Sequence, residues 1–335
     1  MKKAAFLLLL SLAIVASPLS ASALTVKLGT VAPEGSPWHD GLLEIASEWQ
    51  RISGGRVKVR IYPGGVAGDE PDLLRKIRIG QLHAAALTKS GLFMLVPEID
   101  LVSFPLMLQT DDELDVLLEK VGPEIEARLE EKGFKVLNWS RAGWVYFFSK
   151  EPVLMPEDLM RQKLFFWGSD TEYLELIKRA GFQPVPLAIN DLLPSLQTGL
   201  VNSFAAPPAA ALSFQWFALT PHMADLRWQP LPGATLISMK TWRKVPDDLK
   251  PQLEKVAFEV GKRLWGRIGE LNEEALKVME EHGLKINRVS AEGAEYWKTL
   301  FHREGGDDFI DRRYGREEYD RIEAILKEYR RSRSP

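Results

Sequence analysis

Five histidines, at 39, 83, 222, 282 and 302, are the side chains best suited to proton transfer or metal ligation, and their scattered spacing supports neither. His83 lies in an apolar stretch and reads as a core histidine. The acidic clusters Asp111-Asp112-Glu113 and Glu130-Glu131 fall at the two ends of one helical pattern and read as solvated helix charge. Gly64, Gly65 and Gly68 form a turn after a strand, but no lysine follows at the spacing of a phosphate-binding loop. No G-x-S-x-G elbow occurs either. The chain contains no cysteine, which excludes thiolate chemistry, disulfides and a lipid-modified cysteine anchor. These residues point to no enzyme, no cofactor and no metal.

Non-covalent recognition remains. The stretch RQKLFFWGSD, residues 161–170, sets Phe165, Phe166 and Trp167 in a row. Side chains alternate along a strand, so Phe165 and Trp167 share one side and Phe166 takes the other. The chain holds ten tryptophans and fifteen phenylalanines, more than a core of this size needs, so some rings are expected at a binding surface.

The elements that must position these rings follow from periodicity. Residues 25–30 alternate as a half-buried strand. In the next segment Ser36 caps a helix, Pro37 suits its first turn, and Trp38, Leu42, Ile45 and Trp49 recur at helical spacing until Gly54-Gly55. RVKVRIYPGG is a second strand, so the chain opens strand–helix–strand, the unit of an α/β sheet. Two later passages share one order of short helix, glycine stop and small-residue strand: 71–87 and 191–206. They imply two similarly built lobes, with a ligand cleft where strands end and helices begin. Strands are expected at 134–139, 143–149 and 234–239, an acidic helix at 111–133, and one helix over 247–283 long enough to span both lobes.

The first residues, MKKAAFLLLLSLAIVASPLSASA, read as a secretory signal peptide. Lys2 and Lys3 are the positive end, a short apolar run follows, and Ala21-Ser22-Ala23 is the cleavage site. The remaining chain, 24–335, is expected to be exported. Its net charge of −3 becomes more acidic without the two leader lysines, which leaves no bias toward nucleic acid.

The run from GTVAPEGSPWHDGLLEIASEWQ through SGGRVKVRIYPGG and LLRKIRIGQLHAA resembles the solute-binding proteins of TRAP transporters, the dicarboxylate-binding-protein family. FPLML, MPEDL, LQTGLVNSF and TPH extend the likeness over essentially the whole exported chain. The resemblance implies an α/β, two-lobe periplasmic binding protein fold, with hinge strands and a long helix bracing both lobes. On that plan 24–145 with about 233–262 form lobe I, and 146–232 with about 263–335 form lobe II. It implies a periplasmic protein that closes on a small organic ligand and hands it to a TRAP membrane permease, without ATP, covalent chemistry or nucleic acid. The alternative is a carrier of the same fold that binds lipid-like ligands or a periplasmic helical-repeat partner and needs no permease.

The departures from the family pattern are informative. The family's second lobe carries an arginine that pairs the ligand carboxylate, and Phe165 falls at its position. A second family arginine follows a Gly-aromatic pair, and here Gly143-Trp144 is followed by Val145. The family's amide-bearing position is Ala206, and Phe204 replaces a polar residue. A buried carboxylate without a partner costs several kcal/mol, roughly, so such a cleft should reject acids. The expected pocket is apolar, walled by Phe165, Trp167, Phe204, Trp144 and Trp38, with Phe166 turned into the lobe core. Asn202 and Lys89 are candidate polar contacts, and Trp216 and Phe217 candidate shields of the mouth. Two other readings stay open: the rings fill a collapsed cleft that takes no ligand, or Arg141 swings in and restores an acid site.

Overall fold

The computed structural model describes residues 23–168 and 170–333. The expected leader, residues 1–23, lies outside the described residues except for its last member. Among the described residues ten strands appear in chain order: β1 (Leu24–Thr30), β2 (Val57–Tyr62), β3 (Ala84–Thr88), β4 (Phe134–Ser149), β5 (Lys163–Trp167), β6 (Gln183–Leu187), β7 (Ser203–Ala206), β8 (His222–Asp225), β9 (Gln229–Ser238) and β10 (Lys285–Arg288). Eight run side by side as β2-β1-β3-β9-β4-β7-β5-β6, and β8 joins β4 to β10.

The first helix shows how the sequence builds these elements. In Pro37–Ile52 the Ser36 hydroxyl accepts from the His39 backbone N–H at 3.3 Å, and Leu42, Ile45 and Trp49 bury one face. Each such side chain removed from water contributes about 1.5–3 kcal/mol. They pack with Val57 and Leu253 on one face of the lobe I sheet, while Leu73, Leu74, Leu114 and Leu117 cover the other. In lobe II, Phe148, Leu192, Phe204 and Met279 form one layer, and Phe147, Leu164 and Trp297 the opposite one.

Both lobes share β4 and β9. From Phe134 to Val145 strand β4 pairs β9, and from Tyr146 to Ser149 it pairs β7. The two strands expected at 134–139 and 143–149 are therefore one strand of 16 residues. The glycine between them does not end it. Gly143 takes φ +106° within a register shift between Arg141 and Trp144, a bulge that re-aims the strand from one lobe to the other. A Cβ there would collide with the Asn272 amide, and φ +106° is strained for other residues. Strand β9 begins at Gln229, five residues before the expected 234. Its Pro230 and Pro232 obscured it in the sequence. They are tolerated because β3 pairs β9 only from Gly233 onward, so the proline stretch is an open edge.

The helix Lys250–Glu281 braces the lobes over 32 residues. Its Leu253, Ala257 and Val260 join the lobe I core, and Met279 joins that of lobe II. Midway, the Asn272 amide donates to the Ala142 carbonyl and accepts from the Ala209 N–H, each at 3.0 Å.

One boundary expectation is corrected. The expected lobe II segment 263–335 does not stay in lobe II. After a kinked turn at His302–Gly306 the chain returns, and helix Arg316–Arg333 buries Tyr319, Ile322 and Leu326 against Leu114, Leu117 and Val121 of lobe I. Arg321 pairs with Glu124 at 2.8 Å and Arg330 with Glu113 at 2.8 Å. The tail's amphipathic pattern was legible, but the sequence does not show which lobe its apolar stripe meets.

Candidate ligand-binding cleft

The strand ends of the two lobes face each other across a cavity of about 120 Å³. Lobe I contributes the residues after β1, Val31 to Pro33, the end of β3, Ala86 to Thr88, and Trp38. Lobe II contributes Phe165 and Trp167 of β5, Ala205 and Ala206 of β7, and Phe214 with Trp216. The hinge strands supply Ser140 to Ala142 and Leu231 to Gly233. The Trp38 indole N–H donates to the Arg141 carbonyl at 3.3 Å, which fixes that ring against the hinge. Trp216 stacks on Phe214 with ring centroids 4.2 Å apart.

The lobes touch across this cleft through Asp69. Its carboxylate caps the helix Glu70–Arg78, accepting from the Glu70 N–H at 2.8 Å. It also accepts from the Trp167 indole N–H at 3.1 Å and from the Ile189 backbone N–H at 3.1 Å, both in lobe II. Next to it Glu70 is fully buried, and burial pushes its carboxyl up to about 8. The Thr88 N–H and hydroxyl donate to Glu70 at 2.6 and 3.1 Å, which holds the end of β3 at the cleft floor.

A second cavity, of about 190 Å³, lies behind β5 within lobe II, lined by Phe147, Leu164, Phe166, Phe182, Trp228 and Trp297 among others. Ala180 and Ala205 stand on its wall, where larger side chains would pack it.

Charge around both cavities is internally balanced. Among the described residues lining them, Arg141 and Lys89 are the cations and Glu304 the carboxylate. The Arg141 guanidinium, 8 % exposed, turns away from the cleft. It pairs with Asp111 at 3.1 Å, donates from Nε to the Trp265 carbonyl at 3.1 Å and lies 4.8 Å over the Trp265 ring. Lys89 pairs with Asp100 at 3.1 Å and donates to Gln229 at 3.3 Å. Among the described residues no cluster of acids and histidines could hold a metal, and no helix is long and apolar enough to cross a membrane.

This architecture has known relatives. The sequence profile of the bacterial extracellular solute-binding proteins, family 7, called DctP, matches residues 28–304. The chain belongs to the DctP family. The C4-dicarboxylate-binding periplasmic protein DctP of Rhodobacter capsulatus is 24 % identical over 287 residues, 84 % of this chain and 86 % of that one. The crystal structure of a TRAP periplasmic solute-binding protein of Sulfurospirillum deleyianum with bound succinate superposes with TM-score 0.83 at 23 % identity. It covers 90 % of this chain and 99 % of that one. The sugar acid binding protein of Advenella mimigardefordensis in complex with galactonate gives TM-score 0.84 at 19 % identity, covering 91 % and 98 %. As in the rest of the family, the chain is a TRAP solute-binding protein and not an enzyme. DctP-family binding proteins of TRAP systems are periplasmic and work with a membrane permease.

Within this DctP-family frame the expected site residues separate into two groups. Phe165, Trp167, Trp38 and Ala206 line the cleft, and Arg141 does so beside its carbonyl. Phe204 does not line either cavity. It is 0 % exposed and stacks on Phe148 at 5.1 Å, its direct cross-strand neighbour, with Trp216 edge-on at 5.3 Å. Trp144 is buried in the lobe I core with Arg227 over its ring, because the bulge at Gly143 rotates it out of the cleft. Asn202 is a strand clamp: its side-chain oxygen accepts from the Lys163 N–H at 2.7 Å. Phe166 leaves the Phe165 side, as alternation requires, but lines the second cavity near Tyr173 instead of filling a core. The sequence reasoning missed Ala205, Leu231 and the whole second cavity. A small residue on a central strand next to a proline-broken one was the available signal.

Proposed function

We propose that this protein captures a small, largely apolar and uncharged molecule between its lobes and delivers it to a TRAP-type membrane permease. One observation carries the reading: among the described residues the cation on the cleft lining is Arg141, and it is ion-paired to Asp111, while Lys89 on the neighbouring cavity is ion-paired to Asp100. Phe165 on β5 and Ala206 on β7 set apolar surface at the cleft centre. The polar groups that remain are the hydroxyls of Thr30 and Ser140 and the backbone, which suit a neutral hydrogen-bonding group. Closure is a population shift, in which the ligand stabilises the closed state through contacts made only there. The Asp69 bridge to Trp167 and Ile189 adds a polar contact between the lobes themselves in this arrangement.

The test is intrinsic tryptophan fluorescence, because Trp38, Trp167 and Trp216 surround the cleft. A saturable change with neutral alcohols or amides and none with succinate is expected. Tight succinate binding without a response to neutral probes would refute the reading.

A further inference from the structure

The two cavities are not independent. Phe165, Trp167, Ala205 and Leu231 line both. Ala205 is exposed, although it sits in β7, an interior strand between β4 and β5, and both its strand neighbours are buried. Its side chain points to the sheet face opposite Phe204 and Ala206, where the chamber leaves it uncovered, and its place on the lining of both cavities puts an opening in the sheet beside it.

The strand pairing shows that opening. β5 pairs β6 along all its residues, Lys163 to Trp167, and β7 pairs β4 along all of its own. Between β5 and β7 a single registered pair joins the strands, Leu164 with Ser203. Beyond it the strands part, so Phe165 to Trp167 and Phe204 to Ala206 border a slot through the sheet. On one side of the slot lies the interlobe cleft. On the other lies the lobe II chamber, walled by Phe147, Leu164, Phe166, Phe182 and Trp297.

We propose that the slot and chamber form a second binding subsite, which takes the aliphatic chain of an elongated ligand whose uncharged polar end stays in the interlobe cleft. This deepens the reading above and rests on it. The chamber, at about 190 Å³, exceeds the ~150 Å³ apolar cavity known to admit benzene, so it has room for a chain of several carbons. Lys89, at the chamber's opening toward lobe I, donates to Gln229 and is ion-paired with Asp100, so it draws no charged group inward. The ligand class is therefore a single-chain aliphatic alcohol, aldehyde or amide.

The experiment is calorimetric titration of the full exported chain with the 1-alkanols from 1-hexanol to 1-dodecanol. Wild-type affinity is expected to rise roughly three- to fourfold per added methylene until the chamber is full. Ala180→Leu and Ile177→Phe fill the chamber from its helix wall, and each should flatten the series at shorter chains while leaving thermal stability equal or higher. If hexanol binds with no gain along the series, or the filled variants keep the wild-type chain-length dependence, the subsite is refuted and the apolar-cleft reading stands. If no alkanol binds and succinate does, both fall together.

Discussion

The indole N–H of Trp167 in lobe II lies 3.1 Å from the carboxylate of Asp69 in lobe I, and that carboxylate also caps the helix it precedes. One acid thus ties the closed cleft to the first turn of a lobe I helix. Trp167→Phe removes only the bridge. It should weaken ligand binding about ten- to hundredfold, as expected for losing a hydrogen bond to a charged group, and raise the radius of gyration measured by small-angle X-ray scattering. Asp69→Ala should do both and also lower stability by about 1 kcal/mol through the lost cap. Unchanged binding in both variants would remove Asp69 from closure.

Phe165 stands on the cleft wall, 7 % exposed and packed with Ile189 and Leu192. Phe165→Arg puts an unpaired cation where the lining is apolar. Affinity for a neutral apolar probe should fall at least tenfold, while succinate, silent in the wild type, should begin to bind. Calorimetry with both ligands reads the exchange. An unaltered apolar affinity would place the ligand elsewhere.

Arg141 is a bracing residue on this account. Its guanidinium joins β4 to the brace helix through the Trp265 carbonyl and ring, and to the acidic helix through Asp111. Arg141→Met should cost about 1–3 kcal/mol of unfolding free energy, measured in urea, through the lost polar contacts. Full stability with an altered ligand preference is the contrary result and would return Arg141 to the ligand.

Glu70 makes stability depend on pH. Its folded value is pushed up to about 8 by burial, above the ordinary 4.5 of the unfolded chain. The folded state therefore keeps a proton that the unfolded state releases as pH rises. The stabilisation is full below about pH 4.5 and is lost progressively toward pH 8. Glu70→Gln keeps a neutral side chain there at every pH. The wild type should lose up to a few kcal/mol relative to Glu70→Gln between pH 5 and pH 8, read from melting temperatures. Parallel curves for the two proteins would contradict the assignment.

Much of this architecture was legible in the sequence, for identifiable reasons. Helix Pro37–Ile52 announced itself by its cap, its proline and its 3–4 spacing, and β1 and β2 by alternation. Phe165 and Trp167 were placed on one side by strand periodicity alone. Phe204 and Trp144 were not, because a residue type says it is apolar and not which of two apolar environments it joins. Phe204 went to the core because its register partner is Phe148, and Trp144 because a bulge at Gly143 intervenes. The slot beside Ala205 depends on how far two strands diverge, a property of pairing over 39 residues of separation between Leu164 and Ser203 that no local pattern encodes. The return of the C-terminal helix to lobe I was invisible for the same reason.

The most direct test compares two ligands that differ only in charge. Calorimetric titration of the wild-type protein with octanamide and with octanoate at neutral pH isolates the missing counter-ion. Octanamide is expected to bind at least tenfold tighter, since the cleft offers hydroxyls and carbonyls and the cation of its described lining, Arg141, is already paired with Asp111. Equal or tighter binding of octanoate would show that a cation reaches the ligand, and the account of an uncharged guest would be wrong.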